Sequence, residues 1–243
     1  MTKDPGLAPR YSFAPEATPS PELVERVAAG LADVRDRIRA AGGEPEHVRI
    51  IAVTKGFGAR AVAAALLAGA RDIGENYADE LLGKLEATGN PACRWHYLGS
   101  IQRNKVPKLA PHVHYWHGVA RVLEAEAIIR RNPDAKLLVE VDTTGQPGRG
   151  GCPSDQVAEL VTELTTQRGW QVEGLMTVAP PGDAELARAA FATVARLRQE
   201  LGLRELSMGM SGDLEEAVAA GATMVRVGTA LLGARPSRRR LQQ

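Results

Sequence analysis

Cysteine is nearly missing from this chain. Cys93 and Cys152 are the only two, far apart and without metal-ligand spacing, so neither a disulfide scaffold nor a cysteine-built zinc site is available. Net charge is nearly absent too: 30 basic against 29 acidic side chains leave +1, which removes the electrostatic case for a nucleic-acid or membrane partner. No apolar run approaches the roughly 18 residues needed to span a bilayer. The N-terminus has no basic region followed by an apolar core, so no secretion signal is read there and the expected location is the cytoplasm. Lysine is scarce: only Lys3, Lys55, Lys84, Lys105, Lys108 and Lys136 among the 30 basic residues. Arginine keeps its proton near neutral pH, whereas a desolvated lysine can lose it, so a lysine at an unusual position in this chain is a candidate for amine chemistry. What remains is an ordinary globular composition, 44% hydrophobic and 24% charged, over 243 residues, a length that one α/β barrel occupies.

The pattern along the chain supports that architecture. Residues 1–19 carry Pro5, Pro9, Pro15 and Pro19 and read as a flexible tail. A helix follows from Ser20, which can cap it, with Pro21 at its first position and Gly42–Gly43 at its end. Leu23, Val27, Leu31, Val34 and Ile38 share one face of it. From residue 49 strands and helices alternate, with strands expected near 50–54, 71–74, 94–98, 113–117, 137–142, 172–177, 205–209 and 223–227. Gly69 and Gly221 stand at two similar helix-to-strand joints, where a left-handed residue stops the helix. Eight strands with interleaved helices predict a single (β/α)8 TIM barrel over 20–235, with an additional N-terminal helix and a basic tail at 236–243.

In such a barrel the chemistry sits at the carboxyl ends of the strands. Those ends read Thr54-Lys55, "GENY" (74–77), "WHYLGS" (95–100), "GLMTVAPP" (174–181), "GMSGD" (209–213) and "RVGT" (226–229). The loops after the last two strands are where barrels often take phosphate. Ser211 and Thr229 offer hydroxyls there, and Gly209 and Gly228 let the backbone approach an anion. Each string alone reads more readily as helix capping; their joint occurrence at the expected pair of loops favours the site. Neither is a P-loop, so a nucleoside triphosphate is not indicated. A phosphate anchored there, with Lys55 across the mouth and Arg226 adding positive charge, points to a phosphorylated carbonyl compound. Lysine attacks a carbonyl only once its pKa has fallen from about 10.4. Pyridoxal 5′-phosphate carries aldehyde, ring nitrogen and phosphate in one molecule, which makes Lys55 a candidate Schiff-base lysine. A cofactor-free Schiff-base aldolase fits the same pattern.

The strings "AVTK", "DIGENYADE", "WHYLGSIQRNKV", "GLMTVAPP" and "LSMGMSGDLEEAVAAGATMVRVGTALLGAR" closely resemble the YggS/PROSC family of pyridoxal-phosphate homeostasis proteins. The resemblance runs in order from about residue 23 to 235. It implies the alanine-racemase-like barrel of fold type III pyridoxal-phosphate proteins, with Lys55 holding the cofactor as a Schiff base and Ser211, Gly228 and Thr229 holding its phosphate. Arg226 would face the pyridine nitrogen and keep it unprotonated, and Asn76 and His96 would line the cofactor. Gly56-Phe57-Gly58 replaces the family's usual Thr-Lys-Pro, and Gly212 stands where an aspartate is common. The function implied is carriage and buffering of the cofactor, with no catalytic residue assigned and with amino acids or cofactor-dependent client enzymes as partners of a monomer, a dimer being the other state left open. The alternative is a pyridoxal-phosphate-dependent amino-acid racemase or a related fold type III enzyme. Racemisation needs a second base, which alanine racemase takes from an added β-domain; the chain ends eight residues after Arg235, so no such domain is expected, and Tyr77, Tyr97 and Tyr115 are the substitutes available.

Two other features are weighed and set aside. "HVHYWH" holds His112, His114 and His117, but strand geometry turns 117 away from the other two and no carboxylate or cysteine joins them. The C-terminal "RPSRRRLQQ" is basic, yet nothing else in the chain forms a basic stripe, so it reads as solvated tail.

Overall fold

The computed structural model describes residues 11–146, 148 and 150–235. The expected basic tail at 236–243 and the first ten residues lie outside that set. In chain order the strands are β1 (Arg49–Val53), β2 (Asp72–Glu75), β3 (Arg94–Tyr97), β4 (Val113–Val119), β5 (Lys136–Asp142), β6 (Cys152–Pro153), β7 (Val172–Met176), β8 (Glu205–Ser207) and β9 (Met224–Val227). All pair in parallel in the order β4-β3-β2-β1-β9-β8-β7-β5, and a β4–β5 pairing closes the barrel. The eight expected strands are therefore all present. The two-residue β6 beside β5 is an addition.

The helices are α1 (Pro21–Ala40), α2 (Ala59–Leu67), α3 (Ala78–Ala87), α4 (Val106–Leu109), α5 (Val122–Ile129), α6 (Val157–Thr162), α7 (Ala184–Glu200), α8 (Leu214–Ala219) and α9 (Thr229–Leu232). Ser20 caps α1 by accepting from the Leu23 N–H, and Gly69 and Gly221 adopt φ of 94° and 89° to end their helices. After α6 the helix widens into a π-turn over 163–167, where the sequence predicts a plain helix. The Thr162 and Thr165 hydroxyls donate to the carbonyls of Ala158 and Val161 at 2.8 and 2.7 Å. They compete there with the backbone amides and loosen the turn.

Alternation along the strands divides the core in two. Ile51, Val53, Leu138, Met176 and Met224 pack inside the barrel. A larger cluster that includes Trp95, Trp116 and Phe191 fills the space between strands and helices. The face of α1 formed by Val27, Leu31, Val34 and Ile38 is buried against it, each side chain contributing about 1.5–3 kcal/mol. Helix α1 packs on α2, α8 and α9 and so braces the loops after β8 and β9. Residues 11–19 differ from the tail that the sequence suggests. Tyr11 and Phe13 stack and pack on the core, Ala17 is fully buried, and the Tyr11 hydroxyl donates to the Ala92 carbonyl at 3.1 Å. Prolines stiffen this stretch, and its apolar side chains give it something to hold.

Close strand contact makes one glycine indispensable. A Cβ on Gly174 would lie 2.0 Å from the Glu205 carbonyl oxygen of β8. Gly174→Ala must push β7 away from β8 and is expected to cost at least about 2 kcal/mol in urea denaturation.

Candidate functional site

At the carboxyl ends of the strands a cavity of about 310 Å3 opens between the ends of β1, β2, β8 and β9. Lys55, Asn76, Ser211, Arg226, Gly228 and Thr229 all line it. Six of the seven residues singled out in the sequence therefore meet in one place. The seventh does not. His96 is fully buried inside the barrel, stacked on Tyr115 and bonded to Asp72 and His117. It sits too far down β3 to reach the cavity wall, where Leu98 takes its place. The expectation that His96 lines the ligand is corrected accordingly.

The turn that carries Lys55 is fixed from behind. Thr54 is fully buried; its carbonyl accepts from the Phe57 N–H at 3.0 Å and from Lys84 Nζ at 2.8 Å. Its hydroxyl donates to Glu75. Lys84, on α3, also donates to Glu75 at 2.5 Å and Glu80 at 3.3 Å. Glu80 in turn accepts from the Gly56 N–H at 2.8 Å. Gly56 takes φ of 76°, and a Cβ there would meet Arg235 Cδ at 3.1 Å, so glycine suits both the backbone and the space. Lys84, Glu75 and Glu80 were not singled out in the sequence. A Glu and a Lys four residues apart read as a surface pair, and spacing alone does not report burial.

Lys55 makes no side-chain hydrogen bond or ion pair among the described residues. Burial lowers its pKa, with Arg235 and Arg226 adding to the shift against Glu75 and Glu80. The amine is thereby moved toward the form that attacks carbonyls. Opposite, Ser211 Oγ accepts from the Ala230 N–H at 3.2 Å, joining the loop after β8 to the first turn of α9. Arg37 of α1 holds this loop by donating to the Ser211 carbonyl at 3.0 Å, while Glu215 receives its other N–H groups at 2.6 and 2.8 Å. Gly209 turns the chain at φ of 88°.

Arg226 forms the floor. Burial pulls its pKa down to about 10, against the pull of Asp213 and Glu140, so it stays charged at neutral pH. Asn76 lines the cavity wall, and its Oδ1 is buried with no hydrogen-bond partner among the described residues. Val53, Leu98, Met176 and Val178 supply an apolar surface. Amine, guanidinium, hydroxyls and an apolar wall fit a flat, phosphorylated carbonyl compound.

Tyr77, Tyr97 and Tyr115 do not line the cavity. Tyr77 is 52% exposed, Tyr97 packs on Trp116, and Tyr115 stacks on His96. His112, His114 and His117 do not converge either: His117 is buried against His96, and His114 Nδ1 accepts from the Trp95 N–H at 3.3 Å. Among the described residues no helix is long and apolar enough to cross a membrane.

Beneath the site, Asp72 accepts from Arg94 through two bonds of 2.7 Å and from His96 at 2.9 Å. Burial would raise its pKa, but the His96 and Arg94 hydrogen bonds outweigh it and hold the carboxyl at about 2. A folded pKa below the unfolded one stabilises above pH ~4, and that stability is lost as pH falls through about 2. Asp72→Asn is expected to remove up to about 2 kcal/mol of that acid-side pH dependence, read from denaturation curves between about pH 4.5 and 2.

Comparison with known proteins finds the same barrel. A family profile described as "Alanine racemase, N-terminal domain" matches residues 30–236. A Pseudomonas aeruginosa protein named pyridoxal phosphate homeostasis protein is 38% identical over 222 residues, covering 88% of this chain and 96% of its own. A Deinococcus radiodurans protein of the same name is 41% identical over 211 residues, covering 84% and 98%. The structure of PipY from Synechococcus elongatus with PLP bound superposes with a TM-score of 0.73 at 35% identity, covering 85% of this chain and all (100%) of that one.

Proposed function

Because this chain belongs to the pyridoxal phosphate homeostasis proteins, built on the alanine racemase N-terminal domain, we propose that it binds pyridoxal 5′-phosphate and buffers the supply of that cofactor inside the cell. Residues 20–235 act as one binding domain, in the cytoplasm, and client enzymes that need the cofactor are the partners. The observation that carries the reading is a half-buried lysine, its pKa lowered by burial, in one cavity with Arg226 and the serine, glycine and threonine of the loops after β8 and β9. PipY, 35% identical, has PLP bound.

Each residue has a task in this reading. Lys55 would hold the aldehyde as a Schiff base, its unprotonated amine favoured by burial and by Arg235 and Arg226. Ser211, Gly228 and Thr229 would hold the phosphate, as a hydroxyl, a close backbone approach and a helix start permit. Arg226 would lie toward the ring nitrogen as a fixed donor, and Asn76 would line the cofactor. When bound, the cofactor supplies an electrophilic aldehyde conjugated to an electron-withdrawing ring. A permanent cation there would disfavour protonation of the ring nitrogen and weaken that withdrawal.

The test is direct. The purified chain mixed with pyridoxal 5′-phosphate is expected to give a visible absorbance band at one equivalent. Borohydride should fix the label on the peptide that carries Lys55. The loaded protein should restore activity to a cofactor-stripped enzyme added in excess. A colourless protein with no label at Lys55 would exclude the reading. Band and label without transfer would leave a binding protein that does not buffer.

A further inference from the structure

Between the cavity and the opposite mouth of the barrel, a file of polar side chains runs through the interior. Arg226 Nη1 donates to Ser207 Oγ at 2.8 Å and to the Ser207 carbonyl at 2.7 Å, and Nη2 donates to the Thr177 carbonyl at 2.9 Å. Ser207 Oγ lies 2.9 Å from His117 Nδ1, His117 Nε2 lies 2.9 Å from His96 Nδ1, and His96 Nε2 lies 2.9 Å from Asp72 Oδ1. Ser207, His117 and His96 are fully buried, and Asp72 and Arg226 are 4% and 6% exposed. Five polar residues in a barrel interior otherwise filled by Ile51, Leu138, Met176 and Met224 are costly to bury unless every hydrogen finds an acceptor.

The two ends fix the sense of every bond between them. A guanidinium only donates, and an ionised carboxylate only accepts. His96 therefore donates from Nε2 to Asp72, which leaves Nδ1 of the neutral ring as an acceptor. His117 fills that acceptor from its own Nε2–H, so its Nδ1 accepts from the Ser207 hydroxyl. Ser207 Oγ then accepts from Arg226. In this sense each hydrogen has one acceptor. In the reverse sense His96 needs a second proton, and the Ser207 hydroxyl is left with no acceptor among the described residues. Burial, which pushes the pKa of both histidines down, opposes the extra proton.

We infer that Ser207, His117 and His96 are positioning residues for Arg226, locked by Asp72 into a single tautomeric sense. Of the five guanidinium N–H groups, three go to Ser207 and Thr177. Among the described residues one on Nη2 and the one on Nε have no acceptor, and they remain for whatever occupies the cavity. The chain keeps that pair of donors fixed and keeps the Ser207 oxygen turned toward Arg226 as an acceptor. Its effect on cofactor binding rests on the function proposed above; the tautomers and the rigidity of Arg226 do not.

The cofactor-free chain labelled with 15N in histidine and arginine tests the arrangement. At about pH 7, two-bond 1H–15N correlations are expected to show His96 and His117 both neutral with the proton on Nε2. An Nδ1–H tautomer or an imidazolium at either position overturns the inference. Arg226 is expected to give resolved, slowly exchanging Nη signals that collapse in Ser207→Ala and in His117→Leu. His117→Gln should keep them, because its amide can accept from Ser207 and donate to His96. Unchanged Arg226 signals in both chain-breaking variants overturn it equally. If His117→Leu fails to fold, Ser207→Ala, which deletes one hydroxyl, carries the test. In a titration with pyridoxal 5′-phosphate, the two breaking variants are expected to bind about tenfold more weakly with a shifted band, and His117→Gln within about threefold of the original. Equal affinity and band position across all three would refute control of Arg226 at the ring even with the tautomers as expected. A wild-type chain with no band would remove the proposed function and leave the NMR result to decide this one.

Discussion

Lys55→Ala is expected to abolish the visible band formed with pyridoxal 5′-phosphate completely, leaving only weak, colourless retention through the phosphate and ring contacts. The size of this effect follows from the absence of a substitute. Among the described residues Lys55 is the only lysine that lines the cavity. Lys84 is 4% exposed, and its ammonium is spent on Thr54, Glu75 and Glu80. Lys105 pairs with Asp79, and Lys136 pairs with Glu173. Lys55→Arg should fail equally, since a guanidinium does not surrender its proton near neutral pH. Ser211→Ala should keep the band and raise the dissociation constant by about tenfold, the worth of one hydrogen bond to a charged group. A band that persists in Lys55→Ala would move the chemistry to another amine and undo the assignment of the site.

Lys84→Met is expected to be the most damaging single change to the fold near the site. It leaves the Glu75 carboxyl, which is fully buried, without its cation at 2.5 Å. Breaking a buried pair by removing one partner costs about 3–5 kcal/mol, which in a chain of this size lowers Tm by roughly 10 °C. The pH dependence separates this cause from simple loss of packing. Burial already raises the Glu75 pKa, and Lys84 and the Thr54 hydroxyl pull it back. Without Lys84 the folded state holds that proton more tightly than the unfolded state does. The deficit is then smallest at low pH and grows as pH rises past the ordinary carboxylate range, near 4.5 for this group. Glu75→Leu combined with Lys84→Met should recover much of the loss, because no charge is left stranded. A deficit independent of pH, or a double variant no better than Lys84→Met alone, would contradict this account. The Thr54 carbonyl also loses its contact at 2.8 Å, so cofactor affinity should fall along with stability.

The three residues of "GEN" show how far a linear reading reaches. The string was legible as a strand end facing a site, and Asn76 does line the cavity. Glu75, one residue earlier, points the other way and anchors Lys84. Strand alternation predicts that opposition but not what waits on the far side. His96 shows the opposite error. It lies in a string of the family's pattern, but its depth along β3 is set by the register Gly74↔His96, which no count of residues along one strand reveals. The pairing of Tyr11 and Phe13 with the core was hidden for a related reason, because a proline-rich stretch reads as tail until something apolar is seen to receive it.

Local interactions were enough for the rhythm of the chain. Hydrophobic period, capping by Ser20 and the left-handed stops at Gly69 and Gly221 act within a few residues, so eight strands, their helices and the convergence of Lys55, Ser211, Arg226 and Thr229 on one rim could be read from order alone. Closure of the barrel decided the rest. Only after β4 meets β5 do side chains from β2, β3, β4, β8 and β9 share one interior, and only there does a file from Asp72 to Arg226 exist. Each of its bonds joins residues 19 to 90 positions apart, and such pairs become neighbours through packing, a property that belongs to the folded whole.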